Sequence, residues 1–204
     1  MPGIEFVIFD MDEVLYDYRH ETRLELLEEL TGRPAAEIDT AVWGGPHEEA
    51  AEAGEPGTAE AYLAQYGRLL GYPIDFNTWC DVRRRMMRPR LEVLSLVQRI
   101  TAKADIALLT NNGMMLKAAL PVCAPEAFEI FGGKAHVSAE FGLRKPDPRI
   151  YRAICEKYEH QPDRCVFVDD KLENVSGAEE AGLVGHHYSS CDALEAFLSS
   201  HELI

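Results

Sequence analysis

Residues 4–13 read IEFVIFDMDE, in which the short run Ile4–Phe9 ends abruptly in the acidic residues Asp10, Asp12 and Glu13. A short, almost wholly apolar run rich in β-branched and aromatic residues is typical of a strand buried on both faces of a parallel sheet. Ligands of open parallel sheets bind beyond the carboxyl ends of the strands. The sequence therefore predicts a parallel-sheet protein that carries carboxylates where ligands bind.

The chain after residue 89 alternates predicted helices with predicted strands. The helices are predicted at Leu91–Thr101, Met114–Leu120, Pro148–Tyr158, Val175–Ala181 and Asp192–Ser199. The strands are predicted at Ile106–Leu109, Cys165–Val168 and Leu183–His186, with weaker candidates at Phe128–Phe131 and Ala135–Ser138. This alternation indicates βαβ units, and hence an α/β fold with a Rossmann-like, doubly wound parallel sheet.

The segment 16–88 has a different, helical pattern. Helices are predicted around Leu24, Leu27 and Leu30, at Ala35–Trp43 with Pro34 as the first helical residue, from Thr58 to Leu70, and from Ile74 to Arg85. Gly44–Gly57 is predicted to be a loop, and no strand is predicted in the segment. We therefore expect an α/β core domain formed by residues 1–15 and 89–204, interrupted by an all-α insertion at residues 16–88.

Composition restricts the partners. The 204 residues include 35 Asp and Glu against 20 Lys and Arg, a formal charge of −15 that would repel nucleic acid and anionic lipid. No apolar run approaches the roughly 18 residues of a membrane span. The five cysteines form no CxxC pair, which favours reduced thiols in a cytoplasmic protein. The expected partner is a small molecule, with no nucleic acid and no membrane, and the chain is expected to be a monomer or a homodimer.

Other polar residues lie at or near the carboxyl ends of the predicted strands. Thr110 follows the strand predicted at Ile106–Leu109, and Asp169 and Asp170 follow the strand predicted at Cys165–Val168. Lys145 lies in a loop before the latter strand. Each alone has an ordinary explanation as a turn, a helix cap or a surface lysine. Carboxylates gathered at one sheet edge would repel by about 4 kcal/mol per pair at 4 Å, with an effective dielectric constant near 20. A cation is therefore required, and Mg²⁺ prefers such all-oxygen ligands.

A lysine and a hydroxyl beside such a metal site complete a place for a phosphoryl group. Asp10 is predicted to attack phosphorus and form an aspartyl-phosphate. Asp12, two residues on, is predicted to protonate the leaving oxygen and then to deprotonate the hydrolytic water.

These residues, in this order, resemble the haloacid dehalogenase-type hydrolase superfamily in its phosphatase branch. The resemblance rests on Asp10-x-Asp12, Thr110, Lys145-Pro146 and Asp169-Asp170, and covers Ile4 to about Gly182. It implies that Asp10 is the nucleophile and a metal ligand, and that Asp12 is the acid/base and a metal ligand through its carbonyl. Thr110 and the amide of Asn111 would donate hydrogen bonds to the phosphoryl group, and Lys145 would be its cationic partner. Asp169 and Asp170 would be Mg²⁺ ligands. It also implies that the helical insertion is a cap that closes over the site.

The resemblance leaves the substrate open. Asp12 disfavours a haloacid dehalogenase, since a halide leaving group needs no proton. The runs around Lys145 and Asp169 are similar to a bacterial subgroup that includes sugar-1-phosphate phosphatases. We expect a Mg²⁺-dependent phosphatase of a small phosphorylated metabolite, with a sugar phosphate as one candidate. The alternatives are a phosphomutase and, less favoured, a haloacid dehalogenase or a catalytically silent binding protein.

Several residues carry two interpretations. Glu13 stands where this family usually has Gly, and either crowds or charges the turn into the cap or points to solvent. Arg19 and His20, where the chain enters the insertion, are candidate substrate-binding residues. The cluster Arg83, Arg84, Arg85, Arg88 and Arg90 is either a solvated helix end or an attractor for anionic substrate. Asn174 either orients an acidic residue or fixes its loop.

Overall fold

The computed structural model of the protein describes residues 3–204; residues 1 and 2 of the predicted core range lie outside it. Its strands are β1 (Phe6–Phe9), β2 (Tyr16–Tyr18), β3 (Met87–Pro89), β4 (Asp105–Thr110), β5 (Ala135–Val137), β6 (Cys165–Asp169) and β7 (Val184–His187). Its helices are α1 (His20–Thr31), α2 (Ala35–Val42), α3 (His47–Glu52), α4 (Ala59–Leu70), α5 (Phe76–Arg85), α6 (Leu91–Ile100), α7 (Met114–Cys123), α8 (Pro125–Phe131), α9 (Pro148–Lys157), α10 (Leu172–Glu180) and α11 (Cys191–Ser200).

The core is a five-stranded parallel sheet in the order β5-β4-β1-β6-β7. Val7 and Phe9 of β1 face one hydrophobic cluster and Phe6 and Ile8 face the other, and all four side chains are fully buried. The strand is apolar on both faces because helices cover both faces of the sheet. The predicted doubly wound α/β fold is confirmed, and its strand order reverses at β1, where such sheets bind ligands.

The segment 16–88 contains the five helices α1–α5 and is bounded at both ends by strands. Strand β2 pairs antiparallel with β3, with Tyr16 opposite Pro89 and Tyr18 opposite Met87. The prediction of no strand here was wrong, because three-residue strands are too short to show an alternating pattern. A proline in a two-stranded ribbon is tolerated where its missing N–H faces outward.

Three local predictions were also wrong. The predicted loop Gly44–Gly57 contains the helix α3, whose run of Glu and Ala favours helix despite the flanking Gly and Pro. Pro34 is the residue before α2 rather than its first helical residue. The strand candidate Phe128–Phe131 belongs to the helix α8, in which Ala127 and Phe131 are buried at the helical spacing of four.

No helix within residues 3–204 combines the length and the apolar character needed to cross a membrane.

Candidate active site

The predicted site residues meet at the carboxyl edge of the sheet. Asp10 directly follows β1, Thr110 ends the neighbouring strand β4, and Asp169 ends β6 on the other side of β1. All three side chains are buried, and Asp10 and Thr110 line a cavity of about 450 Å³. Parallel pairing in register brings these strand ends together although the three residues are far apart in the sequence.

Lys145 lies between two of the carboxylates. Its Nζ is 2.7 Å from Oδ1 of Asp10 and 2.6 Å from Oδ2 of Asp169, and its side chain is 1% exposed. Burial lowers the pKa of Lys145, but the two carboxylates outweigh burial and hold that pKa above its ordinary value. The lysine is therefore a buried ammonium group at the centre of the site.

The loop that carries Lys145 is fixed from two sides. The side-chain amide of Asn111 donates to the carbonyl of Lys145 and accepts from its N–H, both at 2.9 Å. Gly177 of α10 lies so close to the loop that a Cβ there would meet the carbonyl oxygen of Pro146 at 2.1 Å. A side chain on Gly177 would push the loop away, so this glycine is required for the position of the lysine.

The side chain of Asn111 thus holds the lysine loop, whereas the sequence predicted a role for the backbone amide of Asn111 toward a phosphoryl group. Asn174 has a comparable structural role toward Asp169. Its Nδ2 donates to both carboxylate oxygens of Asp169 at 3.0 Å, and the N–H of Lys171 donates to Oδ1 at 2.8 Å. Of the two interpretations of Asn174, orientation of an acidic residue fits these contacts.

The three carboxylates Asp10, Asp169 and Asp170 can each place one oxygen within 4.8 Å of the others. Burial and the charge of Asp169 outweigh the attraction of Lys145 and raise the pKa of Asp10 from 3.8 to about 7. Burial, followed by Asp169, also raises the pKa of Asp170. Carboxylates that resist ionisation in this way favour a further cation, and their oxygen atoms fit the ligand preference of Mg²⁺.

Asp12 turns away from this cluster. One guanidinium nitrogen of Arg83, Nη2, donates to both oxygens of Asp12 at 2.9 and 2.7 Å. The Arg83 side chain is 3% exposed, whereas Arg84, Arg85 and Arg88 of the same cluster are exposed. For Arg83 the interpretation as part of a solvated helix end was wrong, because the side chain is buried between the ring of Tyr18 and the carboxylate of Asp12.

Glu13 adopts a left-handed backbone conformation, with φ of 62°. Glycine is favoured at such a position, which explains why a Gly is usual there and shows that Glu13 fits the turn at some cost in backbone strain. The Glu13 side chain accepts from the N–H of Tyr18 at 2.8 Å and pairs with Arg90 at 2.7 Å. Glu13 lines the cavity, but its carboxylate is bound to Tyr18 and Arg90 and does not point freely into solvent.

Two other residues, Arg19 and His20, were predicted to bind substrate. Neither is among the described residues that line the cavity. Arg19 is exposed, and His20 is 2.8 Å from Asp39 and packs against Trp43. Arg23, one helical turn after Arg19, lines the cavity instead.

Several residues that line the cavity were not predicted from the sequence: Tyr18, Arg23, Trp43, Glu48, Glu52, Asn112, Arg144 and Lys171. A signal for Arg23 was present. Arg23, Leu26 and Leu27 are the buried residues of α1, at the three- and four-residue spacing of one helix face. An arginine within an apolar stripe indicates a buried charge that needs a partner.

Comparison with known proteins agrees with this geometry. The family model described as haloacid dehalogenase-like hydrolase matches residues 4–182. A phosphatase of Mycobacterium tuberculosis is 28% identical over 205 residues, which cover 89% of this chain and 85% of that one. A sesquiterpene phosphatase of Aspergillus oryzae is 35% identical over 77 residues, so the match spans only 38% of each chain.

Solved structures share the fold. An enzyme of the haloacid dehalogenase family from Bacteroides thetaiotaomicron, in complex with magnesium and inorganic phosphate, superimposes with a TM-score of 0.75. Its sequence is 19% identical, and the match covers 92% of this chain and 95% of that chain. At this identity, the likeness shows a common fold.

Proposed function

Because the chain belongs to the haloacid dehalogenase-like hydrolases, we propose that it is a Mg²⁺-dependent phosphatase that acts on a small phosphorylated metabolite through an aspartyl-phosphate at Asp10. The observation that carries the proposal is the buried ion-pair cluster of Asp10, Lys145 and Asp169 at the floor of the cavity. The two relatives named as phosphatases support the same reaction class.

The metal fits the residues present. Asp10, Asp169 and Asp170 would hold Mg²⁺, with the carbonyl of Asp12 as a further ligand. When bound, the ion offsets the negative charge of the carboxylates and stabilises the charge on the phosphoryl oxygens.

Asp10 is the nucleophile. One of its carboxylate oxygens forms a bond to phosphorus while the bond from phosphorus to the ester oxygen breaks. Asp12 donates a proton to the leaving oxygen, which departs as an alcohol. Asp12 then takes a proton from water as the water oxygen attacks phosphorus, and this releases inorganic phosphate and restores Asp10.

The carboxylate of Asp12 must change its orientation before it can transfer a proton. In the structure its carboxylate is held by Arg83 of the insertion, so proton transfer to the ester oxygen requires the carboxylate to rotate from the guanidinium toward Asp10. Because Arg83 belongs to α5, movement of the insertion and release of Asp12 are coupled.

The remaining residues bind and orient the phosphoryl group. Lys145 offers its ammonium group to the phosphoryl oxygens and to the nucleophile, and Thr110 offers its hydroxyl. The Thr110 hydroxyl already accepts from the side-chain amide of Asn112 at 3.0 Å, which leaves its proton available for a phosphoryl oxygen.

The insertion at 16–88 is the substrate-selecting cap, and residues 1–15 and 89–204 are the catalytic core. Tyr18, Trp43 and Arg83 of the insertion line the same cavity as Asp10 of the core. A cavity of about 450 Å³ lies within the range of small-molecule sites, which is roughly 300–1,000 Å³. A sugar phosphate is one metabolite of suitable size.

The test is phosphate release from a panel of sugar, nucleotide and glycolytic phosphates and an aryl phosphate, each with Mg²⁺ and with EDTA. We expect release that requires Mg²⁺ and is lost in Asp10→Asn. Asp192→Asn, which removes an exposed carboxylate in the first turn of α11, is the matched control and should retain the wild-type rate.

Two results would contradict the proposal. Turnover that is unaffected by EDTA and by Asp10→Asn would exclude the site. Interconversion of sugar phosphate isomers without net release of phosphate would identify a phosphomutase.

A further inference from the structure

Arg23 is a buried cation in the wall that the insertion contributes to the cavity. Its residue exposure is 4%, and its guanidinium carbon lies 4.6 Å from the ring centroid of Trp43 and 5.9 Å from that of Trp79. Its Nη1 donates to the hydroxyl of Tyr18 at 3.2 Å. The aromatic rings fix the guanidinium in place, with its stem packed on the apolar face of α1.

The other buried or half-buried cations of this cavity have carboxylate partners. Lys145 pairs with Asp10 and Asp169, Arg83 pairs with Asp12, and Arg144 pairs with Glu52 at 2.7 Å. Within residues 3–204, Arg23 forms no ion pair within 4 Å, and its Nε has no hydrogen-bond partner. A buried charge without a carboxylate partner is costly, and an anionic ligand beside Arg23 would offset that cost.

No neighbouring carboxylate among the described residues forms a direct ion pair with Arg23, although the charge of Glu48 acts on it from a greater distance and helps to hold its pKa above the ordinary value. Glu48 lines the same cavity, but its Oε1 accepts from the hydroxyl of Tyr62 at 2.8 Å. Arg83 lies over the ring of Tyr18, 4.8 Å from its centroid, and pairs with Asp12. Arg23 is thus the buried cation of the insertion that remains available to a molecule in the cavity.

We propose that Arg23 determines specificity by binding a second anionic group on the substrate, a carboxylate or a second phosphate on the leaving-group side. This inference rests on the proposed function, because it assigns the phosphoryl group to Lys145 and Thr110 on the core side of the cavity. The substrate class is then phosphate monoesters whose leaving alcohol is itself an anion. Hydrogen bonds between a guanidinium and an anion discriminate by about tenfold to a hundredfold against an analogue that lacks the anion.

The test uses pairs of substrates that differ in the second anion. Carboxylate pairs are 2-phosphoglycolate with 2-hydroxyethyl phosphate and 3-phosphoglycerate with glycerol 3-phosphate; the phosphate pair is glucose 1,6-bisphosphate with glucose 1-phosphate. We expect the wild-type kcat/KM to favour the anionic member of a pair by at least about tenfold, and the pair type identifies which anion is recognised. Arg23→Met should abolish this ratio, and Arg23→Lys should retain part of it.

Arg85→Met is the matched control. Arg85 is an exposed arginine of the same insertion, so its substitution removes the same charge but should preserve the ratio. A wild-type enzyme that treats both members of every pair alike would overturn the inference even if Arg23→Met failed to fold. So would an unchanged ratio in Arg23→Met, which would assign Arg23 to an internal partner such as Glu48.

A binding experiment separates this inference from the proposed reaction. Asp10→Asn, in a large excess of Mg²⁺ because the variant lacks one proposed metal ligand, is titrated calorimetrically with 3-phosphoglycerate and with glycerol 3-phosphate, and then with glucose 1,6-bisphosphate and with glucose 1-phosphate. If Asp10→Asn binds the anionic member of a pair more tightly, and the double variant Asp10→Asn, Arg23→Met does not, the role of Arg23 is supported. This holds whether or not the wild type releases phosphate. Equal affinity within both pairs overturns it and leaves the phosphatase assay to decide the reaction.

Discussion

The ionisation of Asp10 is set by its surroundings rather than by its sequence neighbours. Burial, together with Asp169, raises its pKa to about 7 in spite of the ammonium group of Lys145. In the folded, metal-free protein this carboxyl therefore holds a proton over a pH range in which the unfolded chain has lost it. The same proton must leave before Asp10 can serve as nucleophile or metal ligand.

This predicts two opposite pH effects. Because the folded pKa lies above the ordinary value of 3.8, the stability that Asp10 contributes is complete below about pH 4 and is lost as the pH rises through 7. Mg²⁺ affinity should instead increase with pH up to about 7, since binding releases the proton. Urea unfolding in EDTA and calorimetric Mg²⁺ titration, each between about pH 5 and pH 8, measure the two effects. Mg²⁺ affinity that is constant over this range would contradict a proton on Asp10 that the metal displaces.

Arg83 is expected to matter for both activity and stability. Arg83→Met removes the cation that keeps the Asp12 carboxylate ordered at the cavity in the resting enzyme, so Asp12 must reach its working orientation from a disordered side chain. We predict a loss of roughly tenfold in kcat/KM, a fraction of the 10²–10⁴ that acid/base catalysis contributes. Hydrogen bonds to a charged group are worth about 2 kcal/mol, so the free energy of unfolding should fall by about that amount. Phosphate-release kinetics and urea unfolding test this, with Arg85→Met as control. A variant with wild-type rate and stability would show that the ion pair is incidental.

The residues at strand ends could be predicted from the sequence, and the two buried arginines could not be assigned. Asp10, Thr110 and Asp169 follow apolar runs, and parallel strands leave their ends together, so local pattern and topology were sufficient. Arg83 and Arg23 carry a charge that normally lies in solvent. The helical spacing of α1 indicates that Arg23 is buried, but only the packing of α1 and α5 at the cavity shows what surrounds the two side chains. Their roles, like those of the other site residues, stay predictions.

At the scale of elements, the ribbon of β2 and β3 joins the helical insertion to the core at both ends. Arg90, directly after β3, donates through Nε to Asp17 of β2 at 2.7 Å, and its other nitrogens bond to the side chain and the carbonyl of Glu13. The turn after Asp12 and both strands of the ribbon are thus held by one side chain. Any change in the angle between the insertion and the core therefore requires these contacts to rearrange.

Substitution of Glu13 separates backbone strain from side-chain contacts. Glu13→Ala keeps the left-handed backbone and loses the half-exposed pair with Arg90 and the bond to Tyr18, so it should lower the free energy of unfolding by about 1 kcal/mol. Glu13→Gly loses the same contacts but is freed of a strain of roughly 1 kcal/mol, so it should be near wild type. Urea unfolding measures both, and an alanine variant as stable as the glycine variant would contradict this explanation of the turn.

Long, strongly patterned elements were predictable, and short or atypical ones were not. Helices α4 and α5 begin with the capping side chains of Thr58 and Asp75, which accept from N–H groups three residues on, and both were expected near their observed limits. The ribbon has three residues per strand, and α3 has six, too few for a period to appear. The segment Phe128–Phe131 was predicted as a strand because its aromatic and β-branched residues favour one. A helix forms instead, because Ala127 and Phe131 both pack into the core.

At the scale of the whole molecule, insertion and core share one hydrophobic cluster. Tyr66 and Trp79 of the insertion belong to the same cluster of buried residues as Phe9 of the sheet and Leu116 of α7. Helices α4 and α5 both pack against α7 of the core. The insertion is therefore joined to the core by apolar packing as well as by the ribbon.

We predict from this a single cooperative unfolding transition. The two tryptophans, Trp43 and Trp79, both lie in the insertion, so their fluorescence reports on that part, while far-ultraviolet circular dichroism reports on the whole chain. The two signals should give coincident urea transitions in the wild-type protein. A fluorescence transition that clearly precedes the circular dichroism transition would show that the insertion unfolds independently.

Asp10 carries the phosphoryl group in the proposed reaction, and detecting that group on Asp10 is the decisive measurement. The enzyme is mixed with Mg²⁺ and the best ester of the panel, quenched in acid during turnover, and analysed by peptide mass spectrometry. We predict one phosphoryl group on the peptide that contains Asp10, none in Asp10→Asn, and a loss of turnover in that variant of at least about a thousandfold. A phosphoryl group on another residue, or an Asp10→Asn variant that turns over like the wild type, would contradict it.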